Sequence, residues 1–130
     1  MDHDRLRALS LFEGVSDEDL HNIDPFISEV SISEGKHLVD EGDYSYQLMV
    51  IEEGEAEVLR GGETIATLGP GDFFGEAGLV EKDRRNATVV AKTPMKLITL
   101  TSWDVKRLEK QIPEAAERIR QTVEARRPEE

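Results

Sequence analysis

The 130-residue chain contains no cysteine, which excludes disulfides, thiolate metal sites, iron–sulfur clusters and cysteine nucleophiles. Aromatic residues are scarce, 5% of the chain with a single tryptophan. Long apolar runs are lacking too: stretches such as Leu48-Met49-Val50-Ile51 fall far short of the ~20 residues that span a bilayer. At the N-terminus Asp2, Asp4, Arg5 and Arg7 interrupt any signal-peptide core. Basic charge is in deficit, with 16 Lys and Arg against 28 Asp and Glu, a formal net charge of −12 and a pI near 4.7. So acidic a chain is ill suited to holding nucleic acid on a basic face. The expectation is a soluble, cytoplasmic protein with neither nucleic acid nor membrane as partner. His3, His21 and His37 stand 18 and 16 residues apart with no H-x-H cluster, so solvated histidines and no metal site are expected.

What is present describes one globular domain, 38% hydrophobic and 34% charged. The acid excess is uneven. Residues 1–71 carry 4 basic and 17 acidic side chains, a net −13, whereas residues 72–130 carry 12 and 11, a net +1. An anion approaching the second half meets little repulsion from nearby chain.

Leu6, Leu9 and Leu11-Phe12 make a short amphipathic start. Ser16 reads as an N-cap before Asp17, Glu18 and Asp19, with Leu20 and Ile23 toward the core, and Asp24-Pro25 ends that helix. From about residue 27 the grammar changes: nine of the ten glycines fall between 35 and 78 and punctuate short runs of Val, Ile, Leu and Thr. Residues 55–59 and 64–68 alternate on either side of Gly61-Gly62, a two-residue hairpin signal. Ala87–Ala91 and Met95–Leu100 read as two more strands, joined at Thr93-Pro94. This spacing predicts a mainly β fold, a barrel or jelly roll. Helix signals return at Ser102, read as a cap, with Val105, Leu108 and Ile112 on one face and Trp103 expected in helix packing. Pro113 opens a last helix in which Glu114 and Arg118 form an i,i+4 pair. The organisation is one domain: helical N-terminus 3–25, β-roll 27–101 and C-terminal helices 102–127.

The stretch from Gly69 through Val80 to Val89 carries the chemistry. Glycines cluster where the chain leaves a strand for what reads as one helical turn near Gly75. Free N–H groups on such a turn bind anions, phosphates above all. Ala77 and Gly78 are small enough to let a ligand approach the backbone. Arg85, nine residues after Glu76, is a planar fork donor that matches phosphate oxygens in pairs. Two readings stay open on the residues alone. One is a phosphate cradle with an arginine and a carboxylate for sugar hydroxyls; the other is a surface loop in which Arg85 and Glu76 pair with each other. The G-x-x-x-x-G-K-[ST] loop does not occur, and Gly69, Gly71 and Gly75 miss the G-x-G-x-x-G spacing by one. No nucleophile–base motif is found, so no enzyme is expected.

Phe74-Gly-Glu-Ala-Gly-Leu-Val80 and Arg85-Asn-Ala-Thr-Val89 resemble the phosphate-binding cassette of the cyclic nucleotide-binding domain family, F-G-E-[ILM]-A-L-[LI] followed by P-R-x-A-[ST]-V. Glu41-Gly-Asp43, Leu48 to Gly54, Leu68-Gly-Pro-Gly-Asp-Phe-Phe-Gly-Glu76 and Leu11-Phe-Glu-Gly-Val-Ser16 are similar to other stretches of that family. The resemblance covers about residues 9–113 and implies a double-stranded β-helix (jelly roll) with short flanking helices. It implies that Glu76 accepts from the ribose 2′-hydroxyl and Arg85 binds the cyclic phosphate. Gly75, Ala77, Gly78 and Asn86 or Ala87 would lend backbone N–H groups. The implied ligand is cAMP or cGMP, with no cofactor. The implied protein is a stand-alone sensor that reports binding through its C-terminal helices to an effector protein, or by homodimer formation through the last helix. The alternative is an interaction module whose pocket no longer takes nucleotide. The sequence departs from the family pattern at Ala77, Gly78, Arg84, Asn86, Ser45-Tyr46 and Val105. On the last helix Ile119, Val123 or a nearby arginine could cover the base, and the two aliphatics read equally as plain packing. The 29 residues after the last strand are expected to be too few for a DNA-binding effector domain.

Overall fold

Alternation along the strands sorts the apolar residues into two interiors, and this division organises the molecule. The computed structural model describes residues 2–40, 47–74 and 87–126. Helix α1 (His3–Arg7), a 3-10 turn at Ser10–Phe12, helix α2 (Asp17–Ile23) and a second 3-10 turn at Asp24–Phe26 lead into the β-roll. Its strands are β1 (Ser28–Ile32), β2 (His37–Val39), β3 (Gln47–Glu53), β4 (Ala56–Arg60), β5 (Glu63–Leu68), β6 (Phe73–Phe74), β7 (Thr88–Ala91) and β8 (Met95–Thr101). Helices α3 (Ser102–Gln111) and α4 (Pro113–Arg126) follow. The strands form two antiparallel four-stranded sheets, in the orders β1-β8-β3-β6 and β2-β7-β4-β5. β7 and β8 are neighbours in sequence yet enter different sheets. The Gly61-Gly62 hairpin joins β4 to β5 as its spacing predicts.

The first sheet is the middle of three layers. On one face Leu48, Val50, Phe73, Ile98 and Leu100 pack against Leu6, Leu11, Phe12, Leu20, Ile23, Val105, Leu108, Ile112 and Ile119 of the helices. On the other, Ile32, Ile51, Phe74, Met95 and Leu97 meet Ala56, Val89 and Ala91 of the second sheet. Period two explains the split: consecutive residues of β3 and β8 point to opposite sides.

The helices are capped as their sequences dictate, with one correction. Ser16 Oγ accepts from Asp19 N at 3.2 Å and starts α2. The cap of α3 is Thr101 rather than Ser102. Thr101 and Asp104 form a reciprocal capping box, each side chain accepting from the other's backbone N–H, so the last residue of β8 also starts the helix. Trp103 is likewise corrected. It is 73% exposed, because the buried residues of α3, Val105 and Leu108, lie on the opposite face, followed by buried Ile112 at the C-cap. The Glu114–Arg118 pair is not formed either. Arg118 donates instead to the carbonyls of Ser10 (3.2 Å), Leu11 (2.9 Å) and Glu13 (2.9 Å), fastening α4 to the N-terminal helical segment. Arg5 ties the same layer to the first sheet through bonds of 2.7 and 2.8 Å to Glu52 and 2.9 Å to Glu29. Among the described residues no helix is long and apolar enough to cross a membrane.

Candidate functional site

The site is built around the place where the chain passes from one sheet to the other. Leu68 ends β5 at an edge of the second sheet, and Phe73 opens β6 at an edge of the first. Gly69-Pro70-Gly71-Asp72 makes the connection as a β-turn. Asp72 N donates to Gly69 O at 3.0 Å, and Asp72 Oδ2 accepts from Gly69 N at 2.9 Å. Proline sets the first corner, and Gly71 adopts φ +90° at the second, which a side chain would resist. The turn is held from two sides. Ile51 of β3 exchanges bonds of 2.8 Å with Asp72 O and Gly71 N, and Ser10 Oγ donates to Gly71 O at 2.8 Å. The L-G-P-G-D stretch of the sequence therefore positions the entry to the candidate binding segment and also contacts the helical layer.

Beyond the turn, Phe73 and Phe74 pair with Val50 and Met49 of β3. Phe73 enters the helix-side core and Phe74 the core between the sheets. The chain is described again at Ala87, which is buried, and continues as β7 beside β4 and β2, with Thr88 opposite Leu59 and Val89 opposite Val58. Of the candidate binding residues, Ala87 is thus placed at the buried start of a central strand. Gly75, Glu76, Ala77, Gly78, Arg85 and Asn86 lie outside the described residues, as do Arg84, Ser45-Tyr46 and Glu41 to Asp43.

The inner core of the roll is flanked by partly covered aliphatic side chains. Leu38, Val39, Met49, Val58 and Leu68 pack against the inner core while staying only partly buried. Small buried residues, Ala56, Ala87 and Ala91, stand on β4 and at the two ends of β7. The sequence signal for Val58 was the alternation of residues 55–59; Leu38, Val39 and Met49 lie in runs that alternation alone does not mark.

Two further candidates resolve. Ile119 is buried in the helix-side core among residues such as Leu108 and Ile112, so in this arrangement it packs rather than covers a ligand. The side chain of Val123 lies outside the description. Two of the three histidines turn to carboxylates: His3 Nδ1 lies 3.4 Å from Asp17 and His37 Nδ1 2.8 Å from Asp40. The Asp17 carboxyl is held below its ordinary range, chiefly by a hydrogen bond from Arg7 and then by His3.

Two antiparallel sheets rolled face to face, a helical layer on one of them and a Gly-Pro-Gly-Asp turn feeding the crossover define a β-roll domain. Residues 29–111 match the family model of the cyclic nucleotide-binding domain, and the chain belongs to that family. It is 44% identical over 75 residues to a cAMP-dependent protein kinase regulatory subunit of Schizosaccharomyces pombe, covering 57% of this chain and 18% of that protein. It is 33% identical over 120 residues to a cyclic nucleotide-gated potassium channel of Rhizobium etli, covering 92% of this chain and 34% of the channel. Among solved structures, the catabolite activator protein of Thermus thermophilus superposes with a TM-score of 0.79 at 28% identity, covering 89% of this chain and 57% of that one. The chain thus spans about a third or less of the length of these two curated relatives.

Proposed function

We propose that this domain is a regulatory module that binds a cyclic nucleotide, cAMP or cGMP, and catalyses no reaction. The observation that carries the reading is the family match across residues 29–111, which contains the whole of segment 75–86 with Glu76 and Arg85 at an interval common in the family. In sequence Glu76 is two residues past Phe74 and Arg85 two residues ahead of Ala87, and Phe74 and Ala87 are both buried. In this reading Arg85 binds the cyclic phosphate, Glu76 accepts from the ribose 2′-hydroxyl, and Gly75, Ala77, Gly78 and Asn86 or Ala87 supply N–H groups. The aliphatic wall of the roll then receives the base. Charge-assisted bonds of this kind contribute about 1.5–3 kcal/mol each.

The output is assigned to α3 and α4, acting on an effector protein or through self-association of α4. Any swing of α4 must break the three bonds of Arg118 to the N-terminal carbonyls, and the ligand can drive it only by its difference in affinity for the two positions. A second reading, an interaction module without nucleotide, draws on Ala77, Gly78 and Arg84, where the family pattern has other residues. Thermal denaturation with millimolar cAMP or cGMP separates the two. A ligand at 100 times its Kd adds about 2.7 kcal/mol, several degrees of midpoint for a domain of this size. No rise with either nucleotide overturns the binding reading.

A further inference from the structure

On a chain with 28 acidic side chains, cations find carboxylates readily, and several of the described lysines and arginines have done so. Arg5 holds Glu52 and Glu29, Arg7 holds Asp4 and Asp17, Lys92 and Lys96 approach Glu57 and Glu53, and Arg120 holds Glu117. The outer face of α3 is different. Trp103, Lys106, Arg107 and Lys110 recur at i, i+3, i+4 and i+7, the spacing of one helical stripe, and all four are exposed. Lys106 Nζ lies 5.1 Å from the centre of the Trp103 ring, and the Arg107 guanidinium 4.3 Å from that of Phe26. Among the described residues none of these three cations has a carboxylate partner. Of the helix's two acids, Asp104 is engaged in the cap and Glu109 lies at the margin of the stripe.

An indole left in water forgoes the burial that makes tryptophan valuable in a core, and tryptophan and arginine are the side chains that most often dominate binding surfaces. Here the chain's single tryptophan sits with three cations that have no carboxylate partner among the described residues, on a protein of net charge −12. That excess repels a polyanion such as nucleic acid or an anionic membrane at long range. A short segment with a few carboxylates meets the stripe locally, over about 10 Å of helix.

We propose that the Trp103–Lys106–Arg107–Lys110 face of α3 is a docking surface for an acidic polypeptide segment that carries an apolar side chain beside its carboxylates. The apolar group covers the indole, and the carboxylates pair with the cations. The inference stands on this helix face and not on nucleotide binding.

The lone tryptophan supplies the readout. The whole chain, without nucleotide, is titrated with a short synthetic peptide alternating glutamate and leucine while Trp103 emission is followed. The expected result is a shift to shorter wavelength, with affinity falling steeply as salt is raised. The double variant Lys106→Glu, Lys110→Glu should bind about tenfold more weakly or worse at an unchanged melting midpoint. Calorimetry on Trp103→Ser, which needs no fluorophore, should show a similar loss. The proposal is overturned if emission does not move up to millimolar peptide, or if the charge-reversed variant binds as well. It is equally overturned if phosphatidylserine vesicles or single-stranded RNA bind more tightly than the peptide, or if protein concentration alone moves the emission, which would mark self-association.

Discussion

The guanidinium of Arg118 donates to the carbonyl oxygen of Leu11 at 2.9 Å, joining the last helix to the first residues of the fold. With Ser10 O and Glu13 O it completes a three-point contact with carbonyls of a short 3-10 turn, where outward carbonyl groups carry partial negative charge. Ser10 also donates its hydroxyl to Gly71, so one residue contacts both α4 and the turn that feeds the candidate site.

Replacing Arg118 with methionine keeps much of the apolar stem and removes every donor. The expected loss is about 1–3 kcal/mol, a fall of several degrees in melting midpoint. Amide exchange should quicken along α4 before it quickens in β3 or β8. An unchanged midpoint with unchanged α4 exchange would show that the contact holds nothing.

Gly54 has φ +95°, and a Cβ added there would stand 2.5 Å from Pro94 O and 2.8 Å from the Met95 side chain. Gly54→Ala should therefore cost at least about 2 kcal/mol, through strain and overlap together. Urea denaturation reads this as a lower midpoint at constant slope. A loss of only a few tenths would mean that the β3–β4 and β7–β8 connections can part cheaply.

In the proposed binding mode Arg85→Ala removes one charge-assisted contact and should weaken cyclic nucleotide binding at least about tenfold. The fold should survive, since both flanking strands are anchored independently at Phe74 and Ala87. Glu76→Ala should instead erase the preference for a ribose over its 2′-deoxy analogue. Calorimetry with the two ligands checks both, and intact discrimination in the Glu76 variant would reassign that carboxylate.

The Asp17 carboxyl, held low by Arg7 and His3, gives the stability curve a sign. A carboxylate with a depressed folded pKa stabilises above its unfolded value, and that contribution disappears as pH falls through the folded one. Asp17→Asn should lower the melting midpoint at neutral pH, with the difference closing as the solution is acidified below the ordinary carboxylate range. A constant difference across that range would assign the effect to something other than this charge.

Much of the fold was legible because local signals agreed with one another. The Gly61-Gly62 hairpin, the strands at 87–91 and 95–100 and the Ser16 cap each follow from a few neighbouring residues. The exposure of Trp103 was missed, because its bulk was given more weight than its position on the helix. At 100° per residue it lies about 140–180° from Val105, Leu108 and Ile112, so helical geometry outweighs its bulk. Thr101 could be read from its spacing to Asp104, the pattern of a capping box. Arg118 could not: its acceptors are backbone carbonyls more than 100 residues earlier, and sequence spacing offers it only Glu114. The split of the strands between two sheets was hidden for the same reason, since alternation marks a face without naming the sheet that covers it. At the candidate site, the residue types and intervals were readable from the sequence, and the wall of Leu38, Val39, Met49, Val58 and Leu68 came only with the topology.

Phe73 and Phe74 act together as a rivet driven through the first sheet, one ring clinched on the helical side and the other inside the roll. A slip of one residue would force both rings into the wrong compartment, so this two-residue strand has a single register despite its shortness.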